Sequence, residues 1–149
     1  MLTLQQVTDY MQDVVKSLAP GYLPKWLLFI SIVSIFNSVQ TYVNLELTRR
    51  VYENKPEETT ALSARTFGTW TLVSCIIRLY GALYITENHV YQLTFISYII
   101  ALFHFGTELV VFRTCKIGKG FLGPLVVSTT SLVWMYNQKE FYTGIPFPF

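Results

Sequence analysis

Long runs of apolar residues divide the chain into four segments separated by polar stretches. The segments cover residues 26–43, 66–85, 90–112 and 121–136. A transmembrane helix needs about 20 consecutive, mostly apolar residues. The pattern therefore predicts an all-α fold: a polytopic membrane protein, built as a four-transmembrane-helix bundle in a single membrane domain that covers residues 1–149.

The last of these segments is short for a membrane span. At about 1.5 Å per residue, residues 121–136 would extend about 24 Å, whereas a bilayer core is about 30 Å thick. We therefore expect flanking residues to lengthen the helix or the bilayer to thin around it.

The amino-terminal residues 3–19 follow a different pattern, with apolar side chains at alternating spacings of three and four. The stripe comprises Leu4, Val7, Met11, Val14 and Leu18. This spacing predicts an amphipathic helix, with a capping box between Thr3 and Gln6 and a stop at Pro20. Such a helix rests on the membrane surface, packs against a partner helix or covers the protein's own bundle.

Polar loops at residues 44–65, 86–89 and 113–120 connect the four segments. The second loop is so short that the flanking helices must form an antiparallel hairpin. The first and third loops share one side and hold seven of the Lys and Arg residues, against three on the other side. The positive-inside rule therefore predicts that residues 44–65 and 113–120 are cytosolic and that both termini lie opposite.

Composition supports the membrane interpretation. Only 13 % of residues are charged, roughly half the globular average of about 25 %. An aromatic content of 16 % argues against disorder. The net charge of +2 offers no electrostatic support for a nucleic-acid partner, so we expect none.

Motifs for cofactor, metal or nucleophilic chemistry are incomplete. Residues 118–123 match the letters GxGxxG, but a dinucleotide site needs a preceding strand, and here Pro124 is expected to open a membrane helix. His89 and His104 are too few for a di-iron centre, and no Ser–His–carboxylate spacing indicates a triad. The sequence therefore predicts an interfacial turn at 118–123, no catalytic residue, no metal and no cofactor.

Charged residues inside predicted membrane helices are functional candidates by default. Arg78 and Glu108 lie about 10 Å and 27 Å from the 86–89 loop along their helices, which argues against a direct ion pair. We expect Tyr98, Asn37 or a partner protein to satisfy Arg78. Arg113 or Lys116 is expected to pair with Glu108, and His104 to be a hydrogen-bonded residue of the bundle.

A stripe of small polar residues runs along the first membrane segment. Its members are Ser31, Ser34, Ser38 and Thr41. Such a face permits close helix contact and interhelical hydrogen bonds. It is suited to packing within this bundle, in a homo-oligomer or against another membrane protein.

Three stretches carry a strong resemblance to a known family. PGYLPKWLLFISIVSIFNS (20–38), LSARTFGTWT (62–71) and the long stretch 101–136 resemble the ergosterol biosynthetic protein 28 family. The resemblance extends from about Leu4 to Gly144 and diverges at the extreme amino terminus and in the final IPFPF.

The resemblance implies a multi-pass protein of the endoplasmic-reticulum membrane without catalytic activity. It would act as a scaffold for sterol C-4 demethylation, tethering the sterol C-4 methyl oxidase, the NAD-dependent sterol C-4 decarboxylating dehydrogenase and the 3-keto sterol reductase. Two further implied partners are the sterol C-24 methyltransferase and the lipid bilayer itself. Arg65, Arg78, His104, Glu108, Arg113 and the turn at 118–124 are carried over as candidate structural or contact positions only.

Two other classes of function stay open. The chain could bind a sterol intermediate in a groove between helices, where Arg78, Asn37 or His104 would meet the 3-hydroxyl. It could also be a membrane-embedded enzyme, which the lack of a histidine cluster and of a genuine nucleotide site leads us not to expect.

Overall fold

The computed structural model describes residues 3–147, and this range is helical without any strand. The elements are α1 (Leu4–Ser17), α2 (Leu23–Val43), α3 (Glu46–Val51), a 3-10 turn (Pro56–Glu58), α4 (Ala61–Leu83), α5 (Asn88–Val110) and α6 (Lys119–Thr143). The four long helices, α2, α4, α5 and α6, run antiparallel to their chain neighbours and form a bundle. The prediction of an all-α fold is confirmed.

The amino-terminal helix α1 begins as its sequence predicts. The backbone N–H of Gln6 donates to the Thr3 hydroxyl over 3.3 Å, and the Gln6 amide oxygen accepts from the Thr3 N–H over 2.9 Å. No residue of α1 is buried, and Leu4 is 89 % exposed. Only the end of the stripe, at Val14 and Leu18, packs against the bundle, so α1 leaves most of its apolar face uncovered.

Two of the predicted boundaries are wrong. The 44–65 segment contains α3, the 3-10 turn and the first turn of α4, which starts early because Thr60 accepts a hydrogen bond from the Ser63 N–H over 3.1 Å. Helix α6 has 25 residues instead of 16 and ends at Thr143, where Gly144 caps it with a φ of 69°. The fourth helix is therefore long enough to span a bilayer core without local thinning.

The carboxyl-terminal extension of α6 is polar in sequence but packed in the structure. Lys139 is 1 % exposed, because its Nζ donates to the Pro146 carbonyl over 3.3 Å and lies 4.4 Å from the centre of the Phe147 ring. The chain after Gly144 thus folds back on α6 and shields a cation that the sequence pattern placed outside the helix.

The bundle has a mainly apolar core that also buries many polar side chains, and its surface is apolar. Buried polar side chains include Ser31, Ser38, Arg78, Thr94, Ser97, Ser128 and Ser131, whereas the outward rows of the long helices carry exposed residues such as Phe36, Val73, Phe103 and Val133. Among the described residues, α2 and α5 are long and apolar enough to cross a membrane by length and composition, a property that core helices of soluble proteins share.

Contacts between connecting segments define the two ends of the bundle. The Asn54 N–H donates to the Thr114 carbonyl over 3.0 Å, and Lys116 pairs with Glu53 at 3.1 Å, so the segments after α2 and α5 meet at one end. At the other end, the Tyr142 hydroxyl donates to the Pro20 carbonyl over 3.0 Å. The two loops predicted to share a side do so.

Candidate functional site

A cavity of about 460 Å³ lies between the long helices. Helix α4 contributes Phe67, Thr71, Ser74 and Arg78, whose spacing of four, three and four residues places them on one helix face. From Phe67 to Arg78 this face extends about 16 Å along the helix axis. The cavity is therefore an elongated space that runs from the 44–60 end of the bundle towards its middle.

The other long helices close the cavity with mainly apolar groups. The wall includes Ile30, Ser34 and Asn37 from α2, Tyr98, Ala101 and Phe105 from α5, and Gly123, Pro124 and Val127 from α6. Asn37 and Gly123 are exposed lining residues on α2 and α6, which contact each other much less closely than α2 contacts α4. The cavity thus opens sideways between α2 and α6.

Arg78 lies at the inner end of the cavity and is 7 % exposed. Its Nε donates to the Ser97 hydroxyl and its Nη2 to the Ser97 carbonyl, both over 3.4 Å. The guanidinium carbon lies 4.0 Å from the centre of the Tyr98 ring, so Tyr98 is the depth-matched neighbour that the sequence predicted. Arg78 and Tyr98 are both buried inside the bundle, which keeps them away from the surface of a partner protein.

Asn37, the other expected partner of Arg78, lines the same cavity from the α2 side. Its side chain is exposed and has no hydrogen bond to Arg78 among the described residues. Asn37 is therefore a wall residue of the cavity, while Ser97 supplies the hydrogen bonds to Arg78.

The small-residue stripe of α2 is used within the chain. The Ser38 hydroxyl donates to the Gly68 carbonyl over 2.6 Å, and a Cβ at Gly68 would lie 1.8 Å from the Thr41 hydroxyl. Ser31, Ser38 and Thr41 are buried, while Ser34 is half-buried at the cavity wall. The stripe packs α2 tightly on α4, the first of the three arrangements that the sequence left open.

A second pocket, of about 510 Å³, lies beside the first under the 52–60 segment. His104 on α5 contacts the Tyr52 hydroxyl through Nε2 at 2.8 Å, and its ring packs edge-on against Trp70 with centroids 5.5 Å apart. Burial raises the pKa of Tyr52, with smaller contributions in the same direction from Cys115 and Glu108. His104 is thus a hydrogen-bonded bundle residue, as the sequence predicts.

The expected partners of Glu108 are wrong. Its carboxylate accepts a hydrogen bond from the Thr114 hydroxyl, while Lys116 pairs with Glu53 and the Arg113 carbonyl accepts from Asn54 over 2.5 Å. The reason is local: the chain turns sharply after α5, with Arg113 at a φ of 56°, and returns Thr114 to the carboxylate.

The glycine-rich stretch 118–123 differs from the expected turn. Gly118 caps α6, and the following residues form its first turns, so Pro124 lies inside the helix. A Cβ at Gly120 would lie 2.2 Å from the Arg50 carbonyl oxygen. The glycines therefore allow close packing of α6 on α3. Within the described residues, no group of three His, Cys, Asp or Glu side chains could hold a metal ion.

Several lining residues escaped the sequence reasoning. Thr71, Ser74 and Trp70 lie within an apolar run and are interpreted from the sequence as part of that run. Their helical spacing from Arg78 could have identified them as residues that line the same space. Tyr52 could not be recognised as a site residue from the sequence. Its partner His104 is 52 residues away, and the sequence does not show which residue of the 44–65 loop faces it.

Comparison with known proteins identifies the family. The model of the family described as "Erg28 like protein" matches residues 23–133, which is most of the chain. This chain belongs to the Erg28-like family. The match covers α2 to α6 down to Val133, and therefore includes the whole cavity wall.

Individual members of the Erg28-like family align over nearly the full length. Ergosterol biosynthetic protein 28 of Saccharomyces cerevisiae is 67 % identical over 146 residues, covering 97 % of this chain and 99 % of the relative. The protein of the same name from Candida albicans is 56 % identical over 135 residues, covering 91 % and 98 %. A mouse homologue is 38 % identical over 125 residues, covering 83 % and 89 %. No solved structure matches this chain.

Proposed function

We propose that this chain is a non-catalytic scaffold of the endoplasmic-reticulum membrane that tethers enzymes of ergosterol synthesis. The proposed partners are the sterol C-4 methyl oxidase, the sterol C-4 decarboxylating dehydrogenase, the 3-keto sterol reductase and the sterol C-24 methyltransferase. Membership of a family whose relatives are named as ergosterol biosynthetic proteins is the observation that carries the proposal. Tethering raises the effective concentration of one enzyme near another and favours the transfer of intermediates.

Four membrane-crossing helices are part of this proposal. Helices α2, α4, α5 and α6 have 21, 23, 23 and 25 residues, which corresponds to roughly 31–38 Å against a bilayer core of about 30 Å. Their outward faces are apolar while Ser, Thr and Arg side chains are buried between them. Water would solvate such a surface poorly, whereas lipid tails and partner helices would cover it well.

Two outer faces are suited to contact partner helices. The outer row of α2 comprises Phe29, Ile32, Phe36 and Val39, and the outer row of α5 comprises Leu93, Ile96, Ile100 and Phe103; all eight side chains are exposed. The two rows have the same spacing of three, four and three residues. They therefore offer a matched pair of surfaces on different sides of one bundle.

The test is a tagged pull-down from membranes solubilised in mild detergent. We expect the wild-type chain to recover several sterol enzymes, and replacement of one outer row by alanine to remove at least one of them selectively. The other row, replaced in the same way, is the matched control, and the activity of each enzyme assayed separately should be unchanged. Recovery of no sterol enzyme, under conditions that keep another membrane complex intact, would contradict the proposal.

A second function is favoured by the cavity. An elongated, mostly apolar space of about 460 Å³ with a few polar groups has the character of a small-molecule site. We propose that it holds a sterol intermediate beside the enzymes. Mass spectrometry of the purified chain tests this independently of tethering: co-purified sterol supports it, and a preparation whose bound lipid contains no sterol contradicts it.

A further inference from the structure

Within residues 3–147, the cavity contains a buried cation whose charge is not matched by any neighbouring acid. Among the described residues, the salt bridges are Lys16–Asp13, Lys55–Glu58 and Lys116–Glu53, so none involves Arg78. The ionisable groups that act on its charge are Tyr98 and Cys75, neither of which is negative at neutral pH. A guanidinium stays protonated in proteins, so Arg78 holds a full positive charge inside the bundle.

The hydrogen bonds of Arg78 are also incomplete. Its two contacts to Ser97 are both 3.4 Å long, well beyond the usual length for a charged donor, and most of its N–H donors have no protein acceptor in the described residues. The Thr71 hydroxyl, on the same face of α4 and also at the cavity wall, is buried without a hydrogen-bond partner. Buried polar groups are normally satisfied, so these donors are suited to an acceptor carried by an occupant of the cavity.

The remaining walls define what that acceptor must be attached to. Phe67, Trp70 and Phe105 line the part of the cavity away from Arg78, and Ile30 and Val127 add apolar wall from α2 and α6. An occupant therefore needs a large apolar body and a single anionic end. A carboxylate matches the planar fork of a guanidinium and forms two parallel hydrogen bonds with it.

We propose that this cavity binds an amphipathic carboxylate, a lipid acid whose carboxylate pairs with Arg78 while its hydrocarbon body lies against the aromatic wall. This inference rests on the second function proposed above and specifies the chemical class of its ligand. A sterol carboxylic acid and a long-chain fatty acid share this chemistry. The sterol acid is the first probe to test, because the decarboxylating dehydrogenase among the proposed partners consumes a carboxylate.

The cavity rim offers a competing location for the charge. Arg50 and Lys119 line its other end, and both are exposed to solvent. An anionic headgroup at the rim, with a chain inside, would use these two cations and leave Arg78 unpaired. Arg78 is buried and its charge is uncompensated, whereas the two rim cations are hydrated. The carboxylate should therefore bind at the inner end of the cavity, beside Arg78.

The experiment measures binding to the purified full-length chain in detergent micelles. The probes are a sterol 4-carboxylic acid, the corresponding 4-hydroxymethyl sterol, a long-chain fatty acid and its primary alcohol. We expect one acid to bind about 10- to 100-fold more tightly than its own alcohol, as expected for a charge-assisted hydrogen bond. The pair that shows this preference identifies the sterol or the fatty acid as the source.

Four variants locate the interaction. Arg78→Gln should bring the acid-to-alcohol ratio close to one, whereas the rim variant Arg50→Gln/Lys119→Gln should keep the wild-type ratio. Gly123→Leu should weaken acid and alcohol alike, because Gly123 lines the cavity and a Cβ there meets no atom within 4 Å, so the added side chain fills open space. Helical circular dichroism of each variant verifies folding, and Arg78→Lys, which keeps the charge, should retain part of the preference.

Several results would overturn the inference. A ratio near one in the wild type, or an unchanged ratio in a folded Arg78→Gln chain, would show that no carboxylate pairs with Arg78. Loss of the ratio in the rim variant alone would place the anion at the rim. Equal binding of sterol alcohol and sterol acid would support the second proposed function and refute this inference, so the two failures are distinguishable.

Discussion

Gly120 lies where the backbones of α3 and α6 come closest. A Cβ at this position would lie 2.2 Å from the Arg50 carbonyl oxygen and 2.7 Å from its carbon, and a backbone group cannot rotate away as a side chain can. We therefore expect Gly120→Ala to lower the free energy of unfolding by about 1–3 kcal/mol, the usual effect of overpacking. Denaturant titration in detergent, followed by far-ultraviolet circular dichroism, measures it.

Gly106 provides the matched control for this substitution. It lies in the interior of α5, and a Cβ there meets nothing within 4 Å. Gly106→Ala should therefore raise stability by about 0.5–1 kcal/mol through helix propensity alone. If both substitutions shifted stability in the same direction, the close contact of α3 and α6 would not be the cause.

Cys115 gives the fold a dependence on alkaline pH. The side chain is 3 % exposed, and burial raises the pKa of its thiol from the usual 9.0 to about 11. The folded thiol therefore stays protonated at pH values where the unfolded thiol ionises, so its contribution to stability is complete below about pH 9 and is lost as the pH approaches 11.

Comparing Cys115→Ala with the wild type isolates that contribution. Between pH 8 and pH 10.5 the free energy of unfolding of the wild type should fall more steeply than that of the variant, because alanine cannot ionise. Parallel pH profiles for the two chains would refute the assignment to Cys115.

Side-chain pairing could be predicted within regular helices and not across irregular loops. Counting residues from the 86–89 hairpin placed Tyr98 at the depth of Arg78, and the structure stacks the guanidinium on that ring. The same reasoning failed for Glu108, whose partner Thr114 lies beyond a left-handed residue at position 113. A helix has a fixed rise per residue, whereas a turn at positive φ redirects the chain in a way that composition does not encode.

At the level of elements, α1 differs from the rest of the molecule because its apolar stripe is largely uncovered. An amphipathic helix with a free apolar face binds the boundary between lipid headgroups and acyl chains. We expect α1 to lie in that boundary with Met11 facing the acyl chains and its neighbour Gln12 facing water.

A fluorescent probe at each of these two positions tests the arrangement. Met11→Cys and Gln12→Cys, in a background with Cys75 and Cys115 replaced by alanine, are labelled with an environment-sensitive dye after reconstitution into vesicles. The emission of the dye at position 11 should shift to shorter wavelength than that at position 12. Identical spectra would mean that α1 does not lie flat on the membrane.

The extent of α6 shows why apolar runs predict the existence of a helix better than its ends. The prediction stopped at Tyr136 because polar residues follow it, but the helix continues to Thr143. The returning carboxyl-terminal segment covers Lys139 and so supports two further turns. A contact of this kind involves residues on both sides of the helix end, and no window of sequence within the helix contains it.

The whole bundle has two chemically different ends. The segments around Asn54 and Thr114 are joined at one end, and Pro20 and Tyr142 at the other. Combined with the excess of Lys and Arg in the first pair of segments, this predicts that residues 44–60 and 111–118 face the cytosol.

Cysteine accessibility in sealed microsomes tests the orientation. In the cysteine-free background, Glu57→Cys should react with an impermeant maleimide at once, whereas Glu87→Cys should react only after permeabilisation; both residues are exposed. The reverse order would show that the bundle is inserted the other way.

Pro124 interrupts the backbone hydrogen bonds near the start of α6, a feature that the other three long helices lack in their interiors. Proline has no N–H, so the Gly120 carbonyl loses its partner one turn ahead, in a stretch where Gly120 and Gly123 already lower the helix propensity. Gly120, Gly123 and Pro124 line the cavity on the α6 side. Amide hydrogens at 119–127 should therefore exchange faster than those at 128–143, and we expect the start of α6 to be the part of the cavity wall that deforms most readily.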